Sequence, residues 1–182
     1  LRRELKRVVL DDRQPRDVRR SAMEASVRAP DDWHEPQIRV ALESGDPLWT
    51  ITAVFSMGFV GGFDREILEA LDDEDPRIER EAILAAGHQS IGEAFSKIRD
   101  LAASEEANPA LRLAAVEALS GYDSQAAIDL LQRLTEHEDE EIAELAEYGL
   151  SFMADPLSPG AVLFDMDGDL DDDDDDEVLD DP

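Results

Sequence analysis

Apolar and polar residues follow two nested periods along this chain, one helical and one of about 31 residues. The clearest copy is Asn108-Pro-Ala-Leu-Arg-Leu-Ala-Ala-Val-Glu-Ala-Leu-Ser-Gly121; aligned on Ala115, it recurs around Ala22, Ala53, Ala82 and Ala146. The five centres lie 31, 29, 33 and 31 residues apart. Four residues before each centre stands a large apolar side chain (Val18, Trp49, Ile78, Leu111, Ile142), and three after it a small one (Ala25, Ser56, Ala85, Ala118, Gly149). Positions i, i+4 and i+7 share one helix face, so each copy predicts an amphipathic helix with room for a close neighbour.

The steps Asp46-Pro47, Asp75-Pro76 and Asn108-Pro109 open three copies, and Gln14-Pro15 opens a fourth. Asp and Asn side chains accept from the first free N–H groups of a helix, and proline fits the first turn because its missing donor would be unpaired there. Between copies lies a less regular apolar pattern at 37–43, 64–71, 91–101 and 124–134. The two sets together predict a helix pair per period, a unit that buries its apolar face only by stacking. Each anchor helix is expected to pair with the helix after it. Residues 1–10 then become the second helix of an incomplete pair, making the chain the carboxyl-terminal part of a longer solenoid, and the fifth anchor helix lacks a complete partner.

Residues 15–25 (Pro-Arg-Asp-Val-Arg-Arg-Ser-Ala-Met-Glu-Ala), 75–87 (Asp-Pro-Arg-Ile-Glu-Arg-Glu-Ala-Ile-Leu-Ala-Ala-Gly) and 108–121 resemble HEAT repeats, closest to the short HEAT-like repeats of the phycobilisome-lyase type. The resemblance runs over roughly residues 1–155. It implies an all-α, right-handed α-solenoid of about five helix pairs over residues 1–157. The family arginine after the apolar position survives as Arg19 and Arg112, is Glu79 in the third copy, and becomes Thr50 and Ala143 in the second and fifth.

Composition changes this picture in three ways. The 182 residues are 42% hydrophobic, enough for a packed domain, yet no apolar run is long enough to span a bilayer. The most apolar stretch, 47–63, carries Thr50, Thr52, Ser56 and three glycines and reads as a buried helix and turn. Cysteine is absent, which excludes disulfides, thiol catalysis and cysteine-based metal sites. With no signal-like segment, the expected location is cytoplasmic.

The third change is charge. Net charge is −29, and residues 165–182 hold eleven Asp, one Glu and no base; without those twelve charges −17 remains. Such acidity disfavours nucleic acid and anionic membranes and favours basic protein partners. Residues 158–182 are expected to be a linker and a disordered Asp-rich tail, with Asp171, Asp172, Asp173, Asp174, Asp175 and Asp176 as possible partner-binding residues. The apolar island 161–164 is read either as packing on the last repeat or as a recognition peptide. Arg2, Arg3, Lys6 and Arg7 form the one concentrated positive patch. Fifteen arginines against two lysines also fit a protein whose acidity is an adaptation to salt.

Catalytic signals are sparse. The HEAT-like deoxyhypusine hydroxylases hold iron through His-Glu pairs on their repeat helices. Here the matching position reads Arg80-Glu81, and the pairs His34-Glu35 and His137-Glu138 fall in predicted loops. Residues around Gly168 partly resemble a calcium loop, but its first position is Leu163 and its last Asp174, where the pattern wants Asp and Glu. The lyase resemblance suggests a bilin, for which no residue pattern stands out. His34, His88 and His137 lie on different turns with no nucleophile motif. Trp33, in the loop 29–36, is either a binding anchor or a cap folded on the core. Trp49, on the repeat's apolar position, reads as core.

The expectation is a non-catalytic protein-interaction scaffold without cofactor or metal. It would display Trp33, Glu66, Glu69, Glu93, Lys97, Asp129 and Arg133, most of them on a concave surface made by the less regular helices. The alternative is a lyase-like or metal-assisted HEAT-repeat enzyme or its chaperone subunit.

Overall fold

The computed structural model describes residues 1–154. The domain boundary after residue 157, the apolar island and the acidic run with Asp171 to Asp176 lie outside the described residues. Ten α-helices follow in order: α1 (Arg2–Leu10), α2 (Arg16–Ser26), α3 (His34–Glu43), α4 (Pro47–Met57), α5 (Asp64–Ala70), α6 (Pro76–His88), α7 (Phe95–Ala103), α8 (Pro109–Leu119), α9 (Gln125–Leu134) and α10 (Glu140–Ala154). A 3₁₀ turn, Gly92–Ala94, leads into α7.

The acid–proline steps are helix starts. Asp46 accepts from the Leu48 N–H, Asp75 from the Arg77 N–H and Asn108 from the Ala110 N–H, each with proline in the first turn. Ser124 caps α9 by accepting from the Ala127 N–H. The segment 29–36 is helical sooner than its two prolines suggest. α3 starts at His34, so Glu35 and Pro36 occupy its first turn, where a missing N–H costs nothing. The pair His34-Glu35 therefore sits on a helix rather than in a loop.

Packing reverses the expected phase of the pairs. Each short helix lies chiefly against the anchor helix that follows it: α1 on α2, α3 on α4, α5 on α6, α7 on α8 and α9 on α10. α1 is thus the complete partner of α2, and α10 has a partner in α9. The anchor helices α2, α4, α6, α8 and α10 stack on one another, while successive short helices barely touch. Two joined layers of unequal spacing bend toward the closer-packed one, so the anchor helices line the inner arc. This corrects the expectation that the less regular helices form the concave face. Between the layers lie Met23, Ile38, Met57, Ile67, Ile83 and Leu119, all fully buried.

Small residues set the anchor spacing where α6 meets α8. A Cβ on Gly87 would stand 2.7 Å from the Ala118 carbonyl oxygen, and one on Gly121 2.0 Å from that of Gly87. Gly87 is helical and serves close approach, although its sequence context suggests a turn. Tyr122 seals this joint from below, its hydroxyl within 3.2 Å of the Ala86 and 3.1 Å of the Ile91 carbonyl oxygens.

The repeat arginine has a defined task. Carbonyls at a helix end lack intrahelical partners. Arg19 Nε donates to the Val9 carbonyl at the end of α1 (2.9 Å), and Arg112 Nε to that of Ala102 at the end of α7 (3.2 Å). Where the arginine is replaced, another side chain takes over. Lys97 donates to the Leu71 carbonyl after α5 while bridging Glu79 (3.0 Å) and Asp72 (3.1 Å), and Ser44 Oγ donates to Ala41 at the end of α3 (2.7 Å). The departures in the second and third copies are thus substitutions of one cap for another.

Candidate protein-interaction surface

The core-facing positions of each anchor helix leave an opposite stripe, two residues before the repeat centre and two and six after it. Along α2 and the turn after it these are Arg20, Glu24 and Arg28; along α4 and the turn after it, Ile51, Phe55 and Phe59; on α6, Arg80, Leu84 and His88. The α4 stripe is apolar and half-buried, so this helix is hydrophobic on both faces.

Side chains cross between helices to build a continuous surface. Arg28, in the turn after α2, lies over the ring of Phe55 on α4 and that of Phe59 just past it, its guanidinium carbon 5.6 Å from the Phe55 centroid and 5.4 Å from that of Phe59. The two phenylalanines are 5.2 Å apart, and Phe59 meets the His88 imidazole at 5.4 Å. Such stacking orders flat, adhesive side chains without closing them off from a partner. Beside it, Arg20 Nε donates to Thr52 Oγ1 (3.0 Å), which donates to Glu24 (2.6 Å).

Arg80 and Glu81 form an ion pair at 2.6 Å. Burial pushes the Glu81 carboxyl above its ordinary value, Arg80 opposes this, and the charges of Glu24 and Glu117 add to it. Burial holds the His88 imidazole below its ordinary value, helped by Arg28 and opposed by Glu117. Arg20, Arg28 and Arg80 of the stripe thus lie among the carboxylates Glu24, Glu81 and Glu117 around an aromatic centre, in a chain whose net charge is −29.

Residues singled out from sequence lie elsewhere. Trp33 is half-buried, stacked on His34 (3.8 Å) with Lys6 over its ring (5.8 Å), which makes it a cap on the first pairs. Glu66 pairs with Arg39 (3.6 Å) and Glu69 with Arg65 (3.4 Å) on α5. Lys97 is engaged by the α5 terminus. Glu93 and Lys97 line a wide, open trough along α7 with Asp100 and Glu106. Asp129 accepts from Gln125 (2.8 Å), and Arg133 is exposed on α9. All of these belong to the outer layer or its turns, Trp33 as the residue before α3. The aromatic stripe was missed although Ile51, Phe55 and Phe59 recur at helical spacing off the core face, which is the signal that marks it.

Nor do the histidines converge. His34 is buried, with Nδ1 2.9 Å from the Asp31 N–H and Nε2 3.0 Å from Ser26 Oγ. His137 Nε2 lies 3.1 Å from Arg112. Among the described residues no group of three or more His, Asp or Glu side chains is placed to hold a metal ion. No helix among them is long and apolar enough to cross a membrane.

Residues 64–151 match the family model of HEAT repeats. The match opens on the first residue of α5 and closes inside α10, so it contains the pairs α5–α6 and α7–α8 and most of α9–α10, in the phase seen in the packing. No curated protein matches the chain.

Proposed function

We propose that this chain is a non-catalytic protein-interaction scaffold that holds an extended segment of a protein partner along the inner stripe of its anchor helices. The observation that carries this reading is the continuous Arg28–Phe55–Phe59–His88 stack, flanked by Arg20, Arg80, Glu24 and Glu81. Aromatic and arginine side chains supply most of the energy at protein interfaces, and buried-rim charges supply register. HEAT repeats support a binding role rather than a particular partner. The basic character of the partner, its attraction by the acidic residues 165–182, and a cytoplasmic setting belong to the same proposal.

Affinity capture from the source lysate tests this. The full chain is compared with Phe59→Ser plus Arg28→Glu on the inner stripe and with Glu93→Lys plus Arg133→Glu on the outer layer, all checked for helicity. The expected outcome is a partner lost with the inner pair and kept with the outer pair. Retention with the inner pair and loss with the outer pair would overturn the assignment.

A further inference from the structure

A groove of about 340 Å³ opens between the α1–α2 and α3–α4 turns. Its floor is Val9, Val40, Ala41 and Trp49, and its rim carries Arg16, Arg19, Asp12 and Asp46. Val40 is 60% exposed, and Leu10, Val18 and Leu48, also substantially exposed, belong to the same four helices. The rim acids are engaged: Asp12 pairs with Arg19 (2.7 Å) and Asp46 with Arg16 (3.2 Å). Arg19 also lies over the Trp49 ring, 5.7 Å from its centroid.

The charges that line the groove cancel, Arg16 and Arg19 against Asp12 and Asp46, but the segment that builds one wall of it runs against the charge of the rest of the chain. Residues 1–28 hold nine of the 17 Lys and Arg against five acids, whereas residues 155–182 hold thirteen acids and no base. Arg2, Arg3, Lys6 and Arg13 form no ion pair with another described residue; Arg13 stands in the turn that carries Asp12. Inside the acidic run, between Glu177 and Asp180, stands one adjacent apolar pair, Val178-Leu179.

We infer that the segment 177–181, Glu-Val-Leu-Asp-Asp, docks in this groove of its own molecule, with Val178 and Leu179 on the apolar floor and the flanking acids toward the arginines. Reach favours the assignment. Gly87 lies on Ala118, and Gly149 on Ser120, so the anchor helices run side by side in one direction and Ala154 ends at the edge opposite the groove. Three anchor steps of about 8–10 Å, with the ~22 Å length of α10, separate the two by about 35 Å. Val178 follows Ala154 by 24 residues. A random coil of that length spans about 27 Å, and like charges extend it further. Effective concentration is greatest when linker span and site separation match. The island 161–164 meets the groove only near full extension, since ten residues reach at most ~36 Å. The groove opens at the helix starts and not on the inner stripe, so this inference does not rest on the scaffold reading.

The chain has two tryptophans, so replacing Trp33 by Phe assigns the Trp49 indole N–H resonance. That resonance is compared in the full chain, in a truncation after Phe164 and in full-length Val178→Asp plus Leu179→Asp, with circular dichroism confirming the fold. The expected result is a Trp49 resonance in the full chain displaced from its position in the truncation, independent of protein concentration. The double variant should return it to the truncated position, and a peptide of residues 165–182 added to the truncated chain should move it toward the full-length one. One common position for all three chains overturns the inference. So does a displacement that grows with concentration, which assigns the contact to a second copy, or one that survives the double variant, which reduces it to diffuse charge attraction.

Discussion

The joint between α6 and α8 and the joint between α2 and α4 are the same repeat contact built in opposite ways. At α6–α8, Gly87, Ala118 and Gly121 bring backbones into contact and exclude side chains from the seam. At α2–α4, long side chains span the gap: Arg20 to Thr52, Arg16 to Asp46, Arg19 over Trp49 and Arg28 over Phe55. The first is a dry, shape-determined contact. The second is polar, half-open and flanked by both the aromatic stripe and the Trp49 groove. A repeat array can therefore hold its curvature at one end and present adhesive groups at the other, simply by exchanging small residues for arginine and aromatic ones.

The difference is sharpest at Gly121. Gly121→Ala puts a methyl where only 2.0 Å is open, against backbone of Gly87 that has no rotamer to yield. Overpacking of this kind costs about 1–3 kcal/mol and occasionally more. Urea denaturation should show a loss of about 3 kcal/mol or a split transition as the last two pairs part from the rest. Ala25→Gly, at the exposed α2 position that matches Ala118 of the tight joint, should change little beyond the propensity cost of about 1 kcal/mol. Equal losses from the two changes would remove the distinction between the joints.

Acid separates them next. The amino-terminal pairs are tied by His34, whose imidazole is held below its ordinary value by burial, with Lys6 acting the same way and the Asp31 hydrogen bond and charge opposing. Its stabilising contribution is complete above about pH 6.5. Below that, the unfolded chain binds a proton that folded His34 refuses, so stability falls with pH until His34 itself protonates. The α6–α8 joint relies on Tyr122, whose pKa burial raises, far from this window. His88 on α6 is also held below its ordinary value by burial and adds a slope of the same sign, so His34→Gln should reduce but not abolish the dependence of stability on pH just below 6.5, and Tyr122→Phe should leave its slope unchanged; an unchanged slope in His34→Gln would misplace the titrating contact.

Much of this fold was legible because repetition multiplies weak signals. Five copies of one apolar spacing located the anchor helices, and Asp46, Asp75 and Asn108 marked their starts through chemistry that acts within three residues. The pairing phase was not legible, because a short helix such as α9 presents apolar residues that suit α8 and α10 alike. Only the Gly and Ala contacts in space decide which layer closes up, and hence which face is concave. For the same reason Glu66, Glu69 and Lys97 read as displayed charges, when Arg39, Arg65 and the α5 carbonyl terminus already occupy them. The stripe was readable in principle from Phe55 and Phe59, but Arg28 reaches them across helices 27 residues or more apart in sequence, which no local pattern encodes.

The finest contrast lies at Ser90, beside the tight joint, where two opposing effects nearly balance. Ser90 holds φ at +52°, a conformation that costs a side-chain-bearing residue about 1 kcal/mol relative to glycine. Its hydroxyl donates to the Gly121 carbonyl at 2.6 Å, a hydrogen bond worth about 0.5–1.5 kcal/mol. Ser90→Gly removes the strain and the bond together, so its stability should stay within about 0.5 kcal/mol of the parent. Ser90→Ala keeps the strain and loses the bond, so it should fall by about 1 kcal/mol. A urea midpoint series on the three proteins reads both numbers. If alanine and glycine prove equal, the hydroxyl bond carries the position alone and the left-handed backbone is not strained; if glycine is the more stable by about 1 kcal/mol and alanine matches the parent, the bond to Gly121 contributes nothing to the joint.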